Sequence, residues 1–305
     1  MQYIKGIDAF REEKRTAVTL GKFDGLHRGH QKLIEKIRSY AGNDCVSVVC
    51  AFDMQRSCLM TKEERKKLLA GKVDYLIDYP FTGDLMTMEA ERFIQKILYE
   101  KLHAAHIVVG SDFSFGYRKR GDHQMLERYA QKYDYTVDVV EKARLGDREI
   151  SSTYIREELS LGNVAKANEL LGEPYAIHGI VVHGNHIGGP RLGFPTANII
   201  PPANKRLPKF GVYVSRVLAQ GKYYKGVTNI GRKPTIHGDN PVGVETFIFD
   251  FDGDIYGKMI EVQLLEFDRG EQKFASLEEL KERIEKDKEF ALKYFAENPL
   301  YNPVK

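Results

Sequence analysis

Several stretches of this chain bring together residues that can handle phosphate. The first is GKFDGLHRGH, residues 21–30, directly after the apolar run TAVTL. Its glycines admit close backbone approach, and His27 and His30 stand where a strand gives way to a helix. A helix N-terminus collects unpaired N–H groups and the positive end of the helix dipole, both of which attract phosphate. Imidazole placed there donates hydrogen bonds to charge developing around phosphorus and needs no metal to do so. The same letters also spell a tight turn with two surface histidines, and spacing alone favours neither reading.

ISSTYIR, residues 150–156, offers Ser151, Ser152, Thr153 and Arg156 at a predicted helix start. Hydroxyls, backbone N–H groups and a guanidinium together suit a triphosphate, although the same residues make an ordinary N-cap. VVGSDFSFGYRKRGD, residues 108–122, is a glycine-rich loop after a strand. Its Asp112, Phe113 and Phe115 can grip an aromatic heterocycle, and composition equally permits a solvated hairpin with a buried phenylalanine. In RLGFPTANI, residues 191–199, a proline fixes the backbone and leaves Thr196 and Asn198 as oxygen donors. These suit Mg²⁺ carried with ATP phosphates, and the bland alternative is a turn into a strand.

The elements that must position these residues follow two patterns. The first half alternates β-rich runs with amphipathic segments. HQKLIEKIRSYAG carries Leu33, Ile34, Ile37 and Tyr40 on one helical face, with Gly42 as a stop. TKEERKKLLAG opens with Thr61 and Glu64 at capping-box spacing. A third helix after Thr87 buries Phe93, Ile94, Ile97, Leu98 and Leu102. CVSVVCAF, VDYLIDY, HIVVG and YTVDVV, with TAVTLG, give about five strands. Alternation of this kind predicts an α/β unit with a parallel Rossmann-like sheet, whose ligands bind beyond the C-terminal strand ends. Near residue 173 the pattern becomes short alternating strands between turns, which predicts a small antiparallel β-barrel. SLEELKERIEKDKEFALKYF, with Ser276 and Glu279 as a second capping box, predicts a C-terminal helix on that barrel. The expected domains are 1–172 and 173–305.

With 305 residues, two cores are the expectation. Lys plus Arg number 46 against 43 Asp plus Glu, and a net charge of +3 is too mild for a nucleic-acid surface. Cys45, Cys50 and Cys58 form no C-x-x-C pair, so neither a disulfide framework nor a zinc site is indicated. With no signal-peptide core and no apolar run of membrane-spanning length, the expected location is the cytoplasm, without a membrane partner. Oligomeric state is not encoded in any pattern here.

Taken in order, the H-x-G-H of residues 27–30, the VGSDFSFG segment, ISSTYIR and L-G-F-P-T-A-N resemble the bacterial bifunctional riboflavin kinase and FMN adenylyltransferase family over nearly the whole chain. The resemblance implies riboflavin, FMN, FAD and ATP as substrates and products, with Mg²⁺ as cofactor. It implies that His27 and His30 are catalytic as the FMN phosphate attacks the α-phosphorus of ATP. Gly21, Phe23, Gly25, Ser152, Thr153 and Arg156 would then bind ATP. Asp112, Phe113 and Phe115 would hold flavin. In the second half it implies Glu245, in the Val244–Glu245 pair, as general base. Thr196 and Asn198 would take Mg-ATP, and Arg269 the flavin or its phosphate. Two departures stand out. Phe52 and Asp53 are followed by Met54, Gln55 and Arg56 where the family has Pro-His-Pro, and Gly189-Pro190-Arg191-Leu192 replaces a G-R-x-L pattern. The first makes adenylylation the expected weaker activity. The alternatives are a kinase with an altered N-terminal nucleotidyltransferase and a non-catalytic flavin-responsive regulator.

Overall fold

The computed structural model describes residues 1–42, 44–53, 57–183, 196–232 and 242–302. Met54, Gln55 and Arg56, the stretch 189–192 and the Leu192–Pro195 part of the L-G-F-P-T segment lie outside the described residues. The chain divides into two compact units, Met1–Ser152 and Thr153–Lys305.

The first unit is a six-stranded sheet, every neighbouring pair parallel: β1 (Gln2–Lys5), β2 (Arg15–Gly21), β3 (Cys45–Asp53), β4 (Tyr75–Pro80), β5 (Ala104–Gly110) and β6 (Thr136–Val140), in the order β1-β4-β3-β2-β5-β6. Both faces are covered, which is why the strands read as nearly continuous apolar runs. Ala17, Val49, Ala51 and Val108 pack with Ile34 and Ile37 of α1 (Arg28–Tyr40) and Leu69 of α2 (Lys62–Leu69). Val18, Leu20, Val48, Ile107 and Val109 face the opposite way, toward Phe93, Ile94, Leu98, Leu102 and Leu126. The helix read after Thr87 is Ala90–Lys101, wound as a π-helix from Ile94 onward. Thr61 and Glu64 form the predicted capping box of α2.

Strand order decides where a ligand can enter. From β2 the chain moves outward through β3 and β4, then returns to the other side of β2 with β5. The loops leaving β2 and β5 therefore diverge, and a crevice at such a switch point is where open parallel sheets bind ligands. GKFDGLHRGH leaves β2, and GSDFSFG leaves β5.

The second unit holds a closed antiparallel barrel of β7 (Tyr175–Val182), β8 (Thr196–Ile199), β9 (Gly211–Ala219), β10 (Lys222–Arg232), β11 (Val242–Ile248) and β12 (Met259–Arg269), in the order β7-β8-β11-β10-β9-β12. The C-terminal helix Leu277–Glu297, capped by Ser276 Oγ on Glu279 N, buries Ala291 and Phe295 against Val214, Phe249 and Leu265. The pattern change near residue 173 coincides with the start of β7, but the contact division lies upstream of it. The helices Ser152–Leu161 and Val164–Leu171 are stitched to the barrel. Asn168 Nδ2 donates to the Leu264 carbonyl at 2.8 Å, its Oδ1 accepts from Tyr175 N at 2.7 Å, and Lys209 N donates to the Leu159 carbonyl at 2.8 Å.

Candidate functional sites

Around β2, three residues in four adopt left-handed backbone: Phe23 (φ 45°), Gly25 (φ 93°) and Leu26 (φ 40°). Such conformations are costly for Phe and Leu and persist only where the surroundings enforce them. Here they are enforced. Phe23 is fully buried beneath the His30 ring, with centroids 5.0 Å apart. Asp24 Oδ1 accepts from Leu59 N at 2.7 Å and Met60 N at 3.2 Å, and the Asp24 carbonyl accepts from Ser152 Oγ at 2.8 Å. Gln31 Nε2 donates to the Leu26 carbonyl at 3.0 Å.

The loop delivers His27 as the N-cap residue of α1, its side chain making no cap bond. The first intrahelical bond runs from Gln31 N to the His27 carbonyl, so the N–H groups before it point out of the helix end. The His27 and His30 rings stack with centroids 3.7 Å apart at 21°. Among the described residues, neither buried Nδ1 atom has a hydrogen-bond partner. Burial pushes His27 down to about 4 against the opposing pull of the Asp112 carboxylate. Burial, and then the neighbouring His27, hold His30 well below the ordinary imidazole value. Both rings are therefore neutral at physiological pH. Gly29 explains the spacing: a methyl group there would sit 3.2 Å from both Cε1 and Nδ1 of His27.

Across the crevice, Phe113 N closes a turn on the Gly110 carbonyl at 2.9 Å, and Asp112 stands exposed, paired with Lys142 at 3.1 Å. Phe113 is half-buried, whereas Phe115 is 6% exposed and packs on Phe93 and Phe113 with centroids 5.2 and 5.6 Å away. Phe115 thus supports the loop, Phe113 packs partly on the same core, and Asp112 faces out. Gly21 ends β2 against the Phe23 ring, and Thr153 and Arg156 follow Ser152 on the same helix. Sequence reasoning missed Asp24 and the buried charge group at the end of β4. There Asp78 binds Arg65 at 2.6 Å, Lys62 at 3.0 Å and Tyr3 at 3.1 Å, while Arg65 reaches the Lys22 carbonyl at 3.4 Å. An aspartate inside the apolar run YLIDYP was the available signal.

In the barrel, register brings the predicted residues together. Asn198 of β8 lies opposite Glu245 of β11, which lies opposite Asn229 of β10. Residues directly opposite share a sheet face, so the three form one row. It lies outside the barrel, because Val244 and Thr246 point inward, Thr246 sharing a buried hydroxyl network with Thr228 and Ser215. Thr196 Oγ1 donates to Glu245 Oε1 at 2.6 Å. Asn198 is buried and Glu245 half-exposed. The Arg269 guanidinium binds Asp287 of the C-terminal helix bidentately, at 2.9 and 2.7 Å. Asp268, beside that pair, is pushed up to about 6 by burial and then by Asp287. Asn229 had no sequence signal, since only the strand register reveals it.

Among the described residues no three His, Cys, Asp or Glu side chains are grouped to hold a metal ion. The Thr196, Asn198 and Glu245 set instead offers hard oxygen donors, which fits Mg²⁺ bound through few protein groups plus water and substrate phosphates.

A family model for FAD synthetase matches residues 9–154 and one for riboflavin kinase matches residues 171–295. The chain is 37% identical to a bifunctional riboflavin kinase/FMN adenylyltransferase of Haemophilus influenzae, covering 97% of this chain and 99% of that protein. It is 34% identical to the Escherichia coli K12 protein described the same way, with 97% and 98% covered. Among solved structures it is similar to a chain from Streptococcus pneumoniae described as a macrolide-efflux protein, with a TM-score of 0.84, 31% identity, and 95% and 98% covered. Among the described residues of the present chain no helix is long and apolar enough to cross a membrane.

Proposed function

Because the chain belongs to the bifunctional riboflavin kinase/FMN adenylyltransferase family, transferases of flavin-cofactor synthesis, we propose that its two steps are divided between its two units. Residues 173–305 phosphorylate riboflavin to FMN, and residues 1–172 adenylylate FMN to FAD. The observation that carries this division is that the proposed reacting groups of each step lie within one compact unit: His27, His30, Asp112 and Ser152 in the first, Thr196, Asn198 and Glu245 in the second.

In phosphorylation, Glu245 takes the proton of the terminal ribityl hydroxyl as that oxygen attacks the γ-phosphorus and ADP departs. Thr196 holds the Glu245 carboxylate through the 2.6 Å bond. Thr196 and Asn198 are the residues that would hold Mg²⁺ with ATP, and the ion supplies charge neutralisation at the phosphates. In adenylylation, a phosphate oxygen of FMN attacks the α-phosphorus of ATP and the bond to pyrophosphate breaks. His27 and His30 donate to the charge that develops there, at the open end of α1, with Ser152 on the phosphates. Asp112 and Phe113 take the flavin side. No covalent enzyme intermediate is required, so positioning and charge stabilisation carry the step. The proposed location is the cytoplasm.

Product analysis with riboflavin, ATP and Mg²⁺ tests the division. Glu245→Gln should lose FMN formation by about 10²- to 10⁴-fold, as loss of a general base does, while still converting supplied FMN to FAD. His27→Ala with His30→Ala should do the reverse. Loss of both activities in either variant sinks the division of labour.

A further inference from the structure

On the outer face of the barrel the row Asn198–Glu245–Asn229 continues into a pair of glycines. Gly231 lies opposite Gly243 across β10 and β11. Each is two residues from a member of the row, Asn229 and Glu245 respectively, so both glycines share its face. A bare floor of main chain therefore begins immediately beside Glu245.

Among the described residues, the Glu271 side chain lies against Gly231. A methyl group on Gly231 would overlap Glu271 Oε1 and lie 2.8 Å from its Cδ, so the Glu271 carboxylate rests directly against the strand. It reaches there from the segment between β12 and the C-terminal helix. Diagonal neighbours on paired strands are about 7–8 Å apart, which puts the carboxylates of Glu245 and Glu271 within the span of one small polyol. Glu271 is exposed, and among the described residues no hydrogen bond or ion pair engages it.

We propose that Glu271 is a substrate-binding residue of the phosphorylation site, accepting hydrogen bonds from the ribityl hydroxyls while the Gly231–Gly243 floor lets that chain lie along the sheet. This rests on the reading of Glu245 as the base. The chemistry selects the polyol. A second carboxylate repels a triphosphate, and a glycine floor offers no aromatic surface for a flavin ring. A run of hydroxyls, by contrast, donates to carboxylates and needs room close to the backbone. Holding the chain at Glu271 fixes how far its terminal hydroxyl extends toward Glu245.

The test uses the full chain with Glu271→Ala, Glu271→Gln and Gly231→Ala. It measures riboflavin phosphorylation together with binding of riboflavin and of lumiflavin, which carries a methyl group in place of the polyol. Glu271→Ala should weaken riboflavin binding and raise its KM by about 10- to 100-fold, the ratio a charge-assisted hydrogen bond supplies, with the ATP KM and lumiflavin affinity unchanged. Glu271→Gln should recover part of the loss, because an amide oxygen still accepts. Gly231→Ala, by displacing the carboxylate, should show the same riboflavin-selective loss. Unchanged riboflavin binding in Glu271→Ala, or an equal loss for lumiflavin, overturns the assignment. Failure of the underlying reading is distinguishable: the wild-type chain would then make no FMN, or Glu245→Gln would turn over normally.

Discussion

Gly29→Ala separates folding from catalysis within one methyl group. The added Cβ would lie 3.2 Å from Cε1 and Nδ1 of His27, whereas ordinary carbon contacts sit at about 3.5–4.0 Å. The ring must therefore move by roughly 0.3–0.8 Å. A misplacement of about 1 Å can cost about 10²-fold in rate, so half of that corresponds to roughly tenfold. The fold should respond in the opposite direction. Gly29 is in the first turn of α1 with no left-handed φ, and alanine in a helix is favoured over glycine by up to about 1 kcal/mol. The variant should melt at or slightly above the wild-type temperature, convert FMN to FAD about tenfold more slowly, and phosphorylate riboflavin normally. Steady-state FAD formation from supplied FMN, FMN formation from riboflavin and a thermal melt read these quantities. Wild-type FAD formation would show that the position of the His27 ring is not critical to the step. Loss of both activities would show that the damage is to folding instead.

Acid should loosen the first unit. The unfolded imidazole titrates near 6.5 and buried His27 near 4, so the unfolded state takes up protons first as pH falls between these values and stability declines through that window. The loss for His27 alone is on the order of 3 kcal/mol, read by urea unfolding with amide exchange in α1 between pH 7 and 4, and a His27→Gln chain that shows the same slope contradicts the assignment. A fragment starting at residue 153 should be more stable than one starting at 173. The shorter fragment leaves Tyr175 N and the Leu264 carbonyl without Asn168, and equal unfolding midpoints for the two would mean that the helices 152–171 do not support the barrel.

Local chemistry was legible because it is repeated locally. The Thr61–Glu64 and Ser276–Glu279 spacings name helix starts, and apolar periodicity found the buried faces of α1 and of Ala90–Lys101. β1 went unread because QYIK buries only Ile4 and becomes a strand through pairing with β4. Partners distant in sequence were equally invisible. Nothing short of the packed C-terminal helix reveals that Arg269 is held by Asp287, itself bound by Arg283 at 2.9 Å. Asn229 became visible only through register, since slipping β10 by one residue would turn its side chain to the other face.

The neutrality of the two stacked histidines bears on how the proposed adenylylation site would favour rate over affinity. An imidazolium at the open end of α1 would attract ground-state phosphate as strongly as it attracts the transition state, and uniform binding does not speed the chemical step. Rings 3.7 Å apart and dehydrated cannot readily both carry protons, so in the proposed adenylylation they would meet ATP as neutral donors. In that proposed step, negative charge building around the α-phosphorus would itself raise the proton affinity of the rings, so the hydrogen bonds would strengthen at the top of the barrier. Phe23 lies against the His30 ring, and it reaches that position with a left-handed backbone that costs on the order of 1–3 kcal/mol. The strain is offset by the burial of Phe23 and by the two backbone bonds to Asp24. Asp24→Ala should accordingly release the loop and let water reach His27.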